Sequence, residues 1–474
     1  MNTKNIILLE FNELCPHLLD KWMAAGLLPN FRKFFENSAA FITQADVDKP
    51  EYLEPWIQWY SMHTGLSYEQ HGVFRLTDGA KAEYDDIWRV LIRNGLRVGN
   101  FSSMNTRGFT APGCFFMADP WCTSETAYPE SLNVFHRFVS SAVQEYSSPN
   151  RAAALKELLN FIKFLVTHGF SIETAGMIAK QLITDKLLDK NQYWKRASIL
   201  DRVLFDVFRY YHKKYNPNFA TFFINSTAHY QHSYWRHMEP EKFTIRPTEE
   251  EQQRYQNAIL YGYQRMDALL SRFFELESPN QMLILASALS QQPFLKYENS
   301  GGQHFYRPLN VKSLLSKLNF SYDTVDPVMT HQYMIRTSNA DDARKAFEGL
   351  QTIFYDGNQV FQVERRSDTS VYFGSQIRCM VPQDAALSIG DAKVGFYEIL
   401  YSMEGIKSGC HHPDGILWLK TGSHIIPKNK ASILDVFPTI LEHFGISHTH
   451  STTMLGKSLL PLIGTSPRKE AATA

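Results

Sequence analysis

Short apolar runs that alternate with amphipathic segments constrain the fold of this chain more than any other feature. Residues 6–11 form a β-rich apolar run, and helical patterns follow at residues 16–25 and 28–37. Strands buried on both faces of a sheet are continuous apolar runs of this kind. The repeated order of strand and helix therefore predicts an α/β fold with a doubly wound, mainly parallel sheet.

Two stretches depart from this alternation. From 131 to 215 the apolar residues recur at helical spacing, which predicts a helical insertion that caps one side of the sheet. From 306 to 395 the pattern predicts a small α+β subdomain. The α/β core is then expected in three parts, 1–130, 216–305 and 396–474. A chain of 474 residues is long enough for one large α/β domain with two such insertions.

The composition argues against several classes of partner. The 48 basic residues balance 48 acidic ones, and the five cysteines form no CxxC pair. These counts favour neither nucleic acid nor an anionic membrane, and neither a disulfide framework nor a thiolate zinc site. No run approaches the roughly 18 apolar residues of a membrane span. The first strand begins too early to leave room for a signal peptide, so we expect a cytoplasmic protein.

The stretch QMLILASALSQQP, residues 281–293, raises the question of function. Its first half predicts a buried strand, and the end of such a strand is where catalytic groups gather in an α/β sheet. Here the strand runs into Ala288 and Leu289 and then into a predicted polar turn, Ser290 to Pro293. Neither Ala288 nor Leu289 has a polar group with which to bind a ligand.

Six further blocks occur in a fixed order along the chain. They are ILLEFNELCP, LPNFRKFFENSAAF, SMHTGLSYEQHGV, INSTAHYQH, SGCHHPDGILWLKTG, and SILDVFPTILEHFGI with MLGKSLLPLI. In order and spacing they resemble the alkaline phosphatase superfamily, in particular its nucleotide pyrophosphatase/phosphodiesterase branch. The resemblance implies that family's fold, two metal ions that clamp a phosphoryl or sulfuryl group, and a Thr or Ser nucleophile between them.

The resemblance implies ligands for one metal ion at Asn225, His229 and His411, where the family has Asp, His and His. An amide oxygen can coordinate but brings no charge, so the affinity should fall. The two histidines equally fit a hydrogen-bonded structural pair. His232, one turn from His229 if residues 226–234 are helical, favours the metal site.

The second metal ion of the family would lose most of its ligands in this chain. Its ligands would be Asn12, Ala288 and Leu289, in place of Asp, Asp and His, and hydrocarbon side chains cannot coordinate. We therefore expect at most one divalent ion, zinc or manganese, unless Glu10 or Glu13 brings a second ion to a new place. No organic cofactor is indicated.

The nucleophile is also missing. An ungapped count places Pro55 where the family has its Thr, although the count leaves open that Glu54 takes that place. Gln58 stands where the family has an Asn that hydrogen-bonds the transferred group. We predict Glu54, Glu13 and Gln58 as catalytic residues, with either carboxylate as a general base.

Two groups of residues are predicted to bind the substrate. Glu10 and Asn12 cluster with Glu13 at the carboxyl end of a buried strand, and acidic residues there are costly unless paired or ligating. His304 and Arg307 belong to the glycine-led segment GGQHFYRP. Arg307 could clamp an anion through two hydrogen bonds, the alternative being a plain surface loop.

These residues predict a divergent phosphatase- or phosphodiesterase-like hydrolase, or a group-transfer enzyme. Its substrate would be a small phosphorylated or glycosylated molecule, such as a phosphorylated sugar or a nucleotide-like compound. The alternative is a catalytically degenerate member of the superfamily that acts as a binding or scaffolding protein. Carboxylates gathered beside histidines favour the enzyme, because a scaffold has no need of them.

Overall fold

The amino-terminal part of the chain builds one half of a large sheet. The computed structural model describes residues 4–47, 49–122, 124–144, 155–188, 190–328, 331–403, 405–447 and 454–463. Its first elements are β1 (Asn5–Phe11), α1 (Pro16–Ala24), α2 (Pro29–Phe35), β2 (Ala39–Gln44), α3 (Pro55–Thr64), α4 (Tyr68–His71), α5 (Ile87–Arg93), β3 (Val98–Phe101) and β4 (Phe115–Met117). Helix α5 begins later than its pattern over 84–94 predicts, because the Asp86 side chain accepts a hydrogen bond from the Arg89 backbone N and caps the helix.

Helices fill the next stretch, where the sequence predicts a helical insertion. They are α6 (Asn133–Gln144), α7 (Leu155–Thr167), α8 (Ile172–Ile183) and α9 (Ala197–Tyr215). Their buried side chains, among them Phe161 and Phe205, share one hydrophobic cluster with Ile7 and Leu9 of β1. The helices therefore cover one face of the sheet, while the boundaries of the five predicted segments stay a prediction.

The chain then returns to the sheet. The elements are β5 (Phe219–Ile224), α10 (Ser226–Met238), α11 (Glu249–Tyr255), α12 (Ala258–Phe274), β6 (Gln281–Ser287) and β7 (Ser290–Pro293). The pattern over 250–275 predicts one helix, but the structure has two, because the backbone leaves the helical conformation at Asn257 (φ −102°, ψ 9°). The turn predicted at Ser290 to Pro293 is wrong, since these residues form a strand.

A small α+β unit follows. It contains β8 (Tyr306–Pro308), α13 (Val311–Leu315), β9 (Thr324–Pro327), β10 (Gln332–Arg336), α14 (Ala340–Gln351), β11 (Ile353–Tyr355), β12 (Asn358–Gln359), β13 (Phe361–Ser367), β14 (Ser370–Ser375), β15 (Ala386–Ile389), β16 (Ala392–Gly395), α15 (Phe396–Ile399) and β17 (Leu400–Ser402). Two four-stranded sheets, β13-β14-β10-β9 and β12-β11-β15-β16, enclose a separate core that includes Ile335 and Phe373.

The carboxyl-terminal part completes the large sheet. Its elements are β18 (Gly409–His412), β19 (Asp414–Leu419), β20 (Ala431–Ser432), α16 (Val436–His443) and α17 (Leu460–Ile463). The eight strands have the order β20-β2-β19-β6-β1-β5-β3-β4. Strand β19 is antiparallel to both neighbours, and the other adjacent pairs are parallel. The predicted α/β class with a mainly parallel sheet is confirmed.

Both faces of the sheet are covered, and this places polar residues at one edge. Ile7 and Leu9 of β1 face the cluster with α9 and α12, whereas Ile6 and Leu8 face the cluster with α3, α5 and α16. Since β1, β5 and β6 are parallel, the residues that follow each of them meet at the same edge. In the described part of the chain, no helix is long and apolar enough to cross a membrane.

Asp201 supplies a test of this packing. It is buried on α9 and accepts a hydrogen bond from the Ser226 hydroxyl at the start of α10. Burial raises the pKa of Asp201 from 3.8 to about 7, although Ser226 and Arg265 oppose the shift. Between these pH values the folded protein keeps a proton that the unfolded chain has lost, so stability falls as the pH rises.

We therefore expect Asp201→Asn to raise the free energy of unfolding at pH 8 by on the order of a few kcal/mol, and by much less at pH 4. Urea denaturation at pH 4 and at pH 8 measures the two changes in the free energy of unfolding. Asp384→Asn, at an exposed position, is the control. An equal effect of Asp201→Asn at both pH values would contradict the raised pKa.

Candidate metal centre

Glu13 lies just beyond the carboxyl end of β1, in an unusual backbone conformation. Its φ is 62°, in the left-handed region that residues other than glycine seldom adopt. The carbonyl oxygen of Glu13 accepts a hydrogen bond of 2.7 Å from Gln231 Nε2 on α10. Such conformations persist where the surroundings hold them, and they are common at functional sites. The turn brings the Glu13 carboxylate to the sheet edge, between α10 and β18.

Two histidines meet this carboxylate. His232 Nε2 on α10 lies 3.4 Å from Glu13 Oε2, and His411 Nε2 on β18 lies 3.5 Å from Glu13 Oε1. One ligand atom from each of the three residues lies within 4.8 Å of the others. The Glu13 side chain is 2% exposed, His411 12% and His232 29%. The cluster is therefore buried on one side and open on the other.

Both imidazole rings are oriented by their Nδ1 atoms. His232 Nδ1 donates to the Gly409 carbonyl oxygen at 3.0 Å, which leaves a lone pair on Nε2 toward Glu13. His411 Nδ1 lies 3.4 Å from Glu54 Oε2. His411 Nε2 is buried and makes no hydrogen bond within the described residues. Proteins orient metal-binding histidines in this way, and two histidines with one glutamate are a known donor set for catalytic zinc, so these residues fit a divalent ion.

Close packing of β18 on α10 makes this arrangement possible. A side chain at Gly409 would collide with the Gln231 backbone and with the Gln291 amide, so only glycine fits there. Strand β7 pairs with β18 and places Gln291 opposite His411. Gln291 Nε2 then donates to Glu13 Oε2.

The charges of the cluster depend on one another. Burial raises the pKa of Glu13, but His411 and His232 outweigh it and bring the value to about 2. Burial lowers the pKa of His232 to about 3, although Glu13 opposes the shift. Burial also acts to lower the pKa of His411, but Glu13 and Glu54 outweigh it and raise the value. A divalent ion would replace the His411 proton, so metal binding should release protons.

The two asparagines implied by the resemblance are bonded to each other, and Asn12 is also bonded to Glu13. Asn12 Nδ2 donates to Glu13 Oε1 at 3.1 Å and to Asn225 Oδ1 at 2.7 Å. The Asn12 oxygen accepts from Trp59 Nε1 at 2.8 Å. Both amide oxygens therefore have protein donors, and the two residues hold Glu13 in place.

His229 is not a member of the described metal cluster, although His232 on the same helix is. The His229 ring contacts the Tyr230 ring, with centroids 5.8 Å apart. The resemblance implies a ligand at His229, whereas the geometry favours His232. His411 belongs to both sets.

The place of the second metal ion is closed by hydrocarbon. Ala288 and Leu289 are completely buried, Ala288 in the sheet core and Leu289 against Ala45 and Leu53. Glu10 is also completely buried, and His63 Nε2 lies 2.8 Å from its Oε1. Because side chains alternate along β1, Glu10 projects into the core on one face of the sheet, among α3 and α5.

We expect Glu10→Ala to destabilise the fold by roughly 3–5 kcal/mol, the usual cost of removing one partner of a buried pair. Glu36→Ala, which removes an exposed pair with Arg32, should cost about 1 kcal/mol at most. Chemical denaturation measures both. Folded Glu10→Ala protein should bind as much metal as the unaltered protein. Loss of metal without loss of stability would instead place Glu10 in the metal site.

The residues near the predicted nucleophile open helix α3. Glu54 precedes the helix and Pro55 is its first residue. Burial raises the pKa of Glu54, although His411 opposes the shift. Gln58 is buried, and its Oε1 accepts from the Asp46 backbone N at 3.0 Å. Gln58 thus supports the loop before the helix, and Glu54 is the carboxylate beside the metal cluster.

Arg307 lies in the small α+β unit and His304 just before its first strand, and neither belongs to the described metal cluster. Both are buried, so the alternative of a plain surface loop is wrong. Arg307 is in β8, which pairs with β17, and its Nε donates to the Tyr333 hydroxyl at 2.9 Å.

The sequence patterns did not indicate Gln291, and the resemblance implied His229 as the ligand on α10 rather than His232. The i, i+3 spacing of His229 and His232 was the available signal for His232. For Gln291 there was no local signal, because a polar run ending in proline is typical of a turn.

Two hydrolases are among the solved structures similar to this chain. The phosphonoacetate hydrolase of Sinorhizobium meliloti 1021, in complex with phosphonoformate, is 12% identical, with coverage of 92% of this chain and 94% of its own and a TM-score of 0.41. Murine ectonucleotide pyrophosphatase/phosphodiesterase 5 is 9% identical, with coverage of 95% and 98% and a TM-score of 0.41. The name of the second is that of the branch that the sequence blocks resemble.

No protein-family model matches the chain, and no curated protein matches its sequence. The assignment of the candidate site rests on the distances, burial and hydrogen bonds described above.

Proposed function

We propose that this protein is a phosphoesterase with one divalent metal ion, held by Glu13, His232 and His411. The observation that supports it most is the convergence of these ligand atoms within 4.8 Å at the carboxyl edge of the sheet. Zinc suits the two imidazoles and one carboxylate, and manganese is the second choice. Asn225 and His229, implied by the resemblance, are not part of this proposed set.

A bound divalent ion would polarise the phosphoryl oxygen and lower the pKa of a bound water. Glu13 and the two histidines would hold it, and with a pKa of about 2 the Glu13 carboxylate is too weak a base to take the proton of that water. Glu54 is therefore the proposed general base. Its pKa is raised by burial, and its Oε2 lies 3.4 Å from a metal-ligating ring.

The reaction is a direct displacement at phosphorus. As the water oxygen attacks, Glu54 takes its proton, an oxygen–phosphorus bond forms and the ester phosphorus–oxygen bond breaks. The electrons of the broken bond leave with the alcohol oxygen, which takes up a proton from solvent. Pro55 begins α3 and has no hydroxyl, so no covalent enzyme intermediate forms at that position.

A screen of phosphate monoesters, phosphodiesters and sulfate esters tests this function. Protein stripped with a chelator should be inactive, and zinc or manganese should restore hydrolysis of a phosphoester. His411→Ala, prepared in parallel, should not respond to metal. Absence of hydrolysis in every metal-loaded sample would contradict the proposal and favour the binding or scaffolding alternative.

A further inference from the structure

A group of cationic side chains lies where the small α+β unit meets the core. Arg378 Nη2 lies 3.3 Å from His331 Nε2, and the Arg378 guanidinium stacks 5.1 Å from the Phe305 ring centre. The Arg307 guanidinium lies 5.2 Å from the Tyr333 ring centre. Lys407 lies a few residues after the end of β17 in the sequence. Among the described residues, neither Arg378 nor Lys407 forms an ion pair with a carboxylate.

His331 lies beside Arg378 in this group. It is 8% exposed. Burial lowers the pKa of His331 to about 3, and the charges of Arg378, Arg307 and Lys407 add to the shift. The ring is therefore neutral, and since Nε2 accepts from Arg378, Nδ1 carries the proton. That Nδ1 makes no hydrogen bond within the described residues. A buried donor without an acceptor is costly, and a bound anion would supply the acceptor.

Arg378 is held ready for such an anion. Its Nη1 donates to the carbonyl oxygens of Ser375, at 2.6 Å, and Ile377, at 3.2 Å. These bonds fix the plane of the guanidinium. A guanidinium fixed in this way loses little entropy when it binds a phosphoryl group.

Lys407 connects this group to the metal centre. Its backbone N donates to the Gln303 carbonyl at 3.0 Å, and the next residue, Ser408, donates to the His232 carbonyl at 2.9 Å. The Lys407 charge acts to lower the pKa of both His411 and His331. Lys407 is thus adjacent in the chain to a residue bonded to α10, and its charge acts on His331.

We propose that Lys407, Arg378 and His331 form a second anion site, which binds a second phosphoryl group on the substrate of the metal centre. This inference rests on the proposed function for the first phosphoryl group. The substrate class is then a phosphoester that carries two phosphoryl groups, of the sugar bisphosphate or nucleoside diphosphate type. Arginine recognises the tetrahedral oxygens through paired hydrogen bonds, lysine adds charge, and the His331 Nδ1–H donates a third kind of contact.

Calorimetry with inorganic phosphate tests the second site without metal or turnover. Chelator-stripped protein should bind phosphate, more weakly as salt increases. Arg378→Gln and Lys407→Gln should each weaken binding at least about tenfold, the loss of one charge-assisted contact. Arg344→Gln is the matched control, because Arg344 is an exposed arginine of the same unit that pairs with Asp341 and Glu348. Thermal unfolding checks each variant, and Lys407→Gln carries the test if Arg378→Gln fails to fold.

Methylenediphosphonate and methylphosphonate then compare two phosphoryl groups with one. Zinc-loaded protein should bind the first at least about tenfold more tightly, and Arg378→Gln should remove the difference. No phosphate binding by stripped protein, or full binding by both variants, would overturn the second site. A protein that never takes up zinc but binds phosphate through Arg378 would refute only the proposed function. Hydrolysis of simple monoesters with no effect of Arg378→Gln on anion binding would refute only the second site.

Discussion

We expect His232→Ala to abolish binding of one zinc ion per chain, whereas His229→Ala should leave the ion bound. The two histidines are three residues apart on α10, and in the described part of the chain His232 Nε2 lies 3.4 Å from Glu13 Oε2. Removing one of three ligands should weaken binding by more than about 100-fold, because changes to outer hydrogen-bond partners alone cost 10- to 100-fold. Elemental analysis gives the stoichiometry, and titration against a chromophoric chelator gives the affinity.

A second readout follows from the charge of the cluster. Because the pKa of His411 is raised in the metal-free protein, zinc should displace protons near neutral pH, and an unbuffered titration would detect them. His411→Ala should lose both the zinc ion and this proton release. Circular dichroism and thermal unfolding of the metal-free variants provide the control for folding.

Three results would contradict the assignment. Loss of zinc in His229→Ala with retention in His232→Ala would restore the ligand set implied by the resemblance. Two ions per chain would show that Ala288 and Leu289 do not close the second position. Absence of zinc from the unaltered protein at micromolar metal would remove the metal centre.

The fold followed from sequence because its signals are local. Strands such as β1 and β6 are continuous apolar runs, and residues of that kind form parallel strands covered by helices wherever the alternation continues. Polar residues at the ends of these strands could then be assigned to one edge. Glu13 was found in this way, whereas His411 came from the resemblance.

The rest of the site depends on contacts between distant segments. Whether His229 or His232 faces Glu13 depends on the rotation of α10 about its axis, which its packing against α12 and β18 sets. Strand β7 exists because it pairs with β18, more than a hundred residues further along the chain. A polar segment that becomes a strand through such pairing carries no strand signal of its own, so the contact of Gln291 with Glu13 could not be predicted.

Glu54→Gln should lower turnover by roughly 10²–10⁴-fold while leaving zinc bound, because it removes a proton acceptor and keeps the shape of the side chain. Glu54 Oε2 lies 3.4 Å from His411 Nδ1, so the carboxylate has two possible effects. It can take a proton from the attacking water, and it can orient the His411 ring for the metal ion. The glutamine amide oxygen can still accept from His411 Nδ1, but it cannot act as a base at neutral pH.

Glu54→Ala separates the two effects, because it removes the base and the acceptor for His411 together. We expect Glu54→Ala to weaken zinc binding by about 10- to 100-fold in addition to the loss of turnover. Steady-state kinetics at saturating zinc compares the two variants once a phosphoester substrate is known. The turnover of the unaltered protein should fall at acidic pH, because protonation inactivates the base. The pH profile of Glu54→Gln should lack this acidic limb. Full turnover by Glu54→Gln, with weak zinc binding by Glu54→Ala, would make Glu54 a positioning residue and leave the attacking water to be deprotonated by solvent.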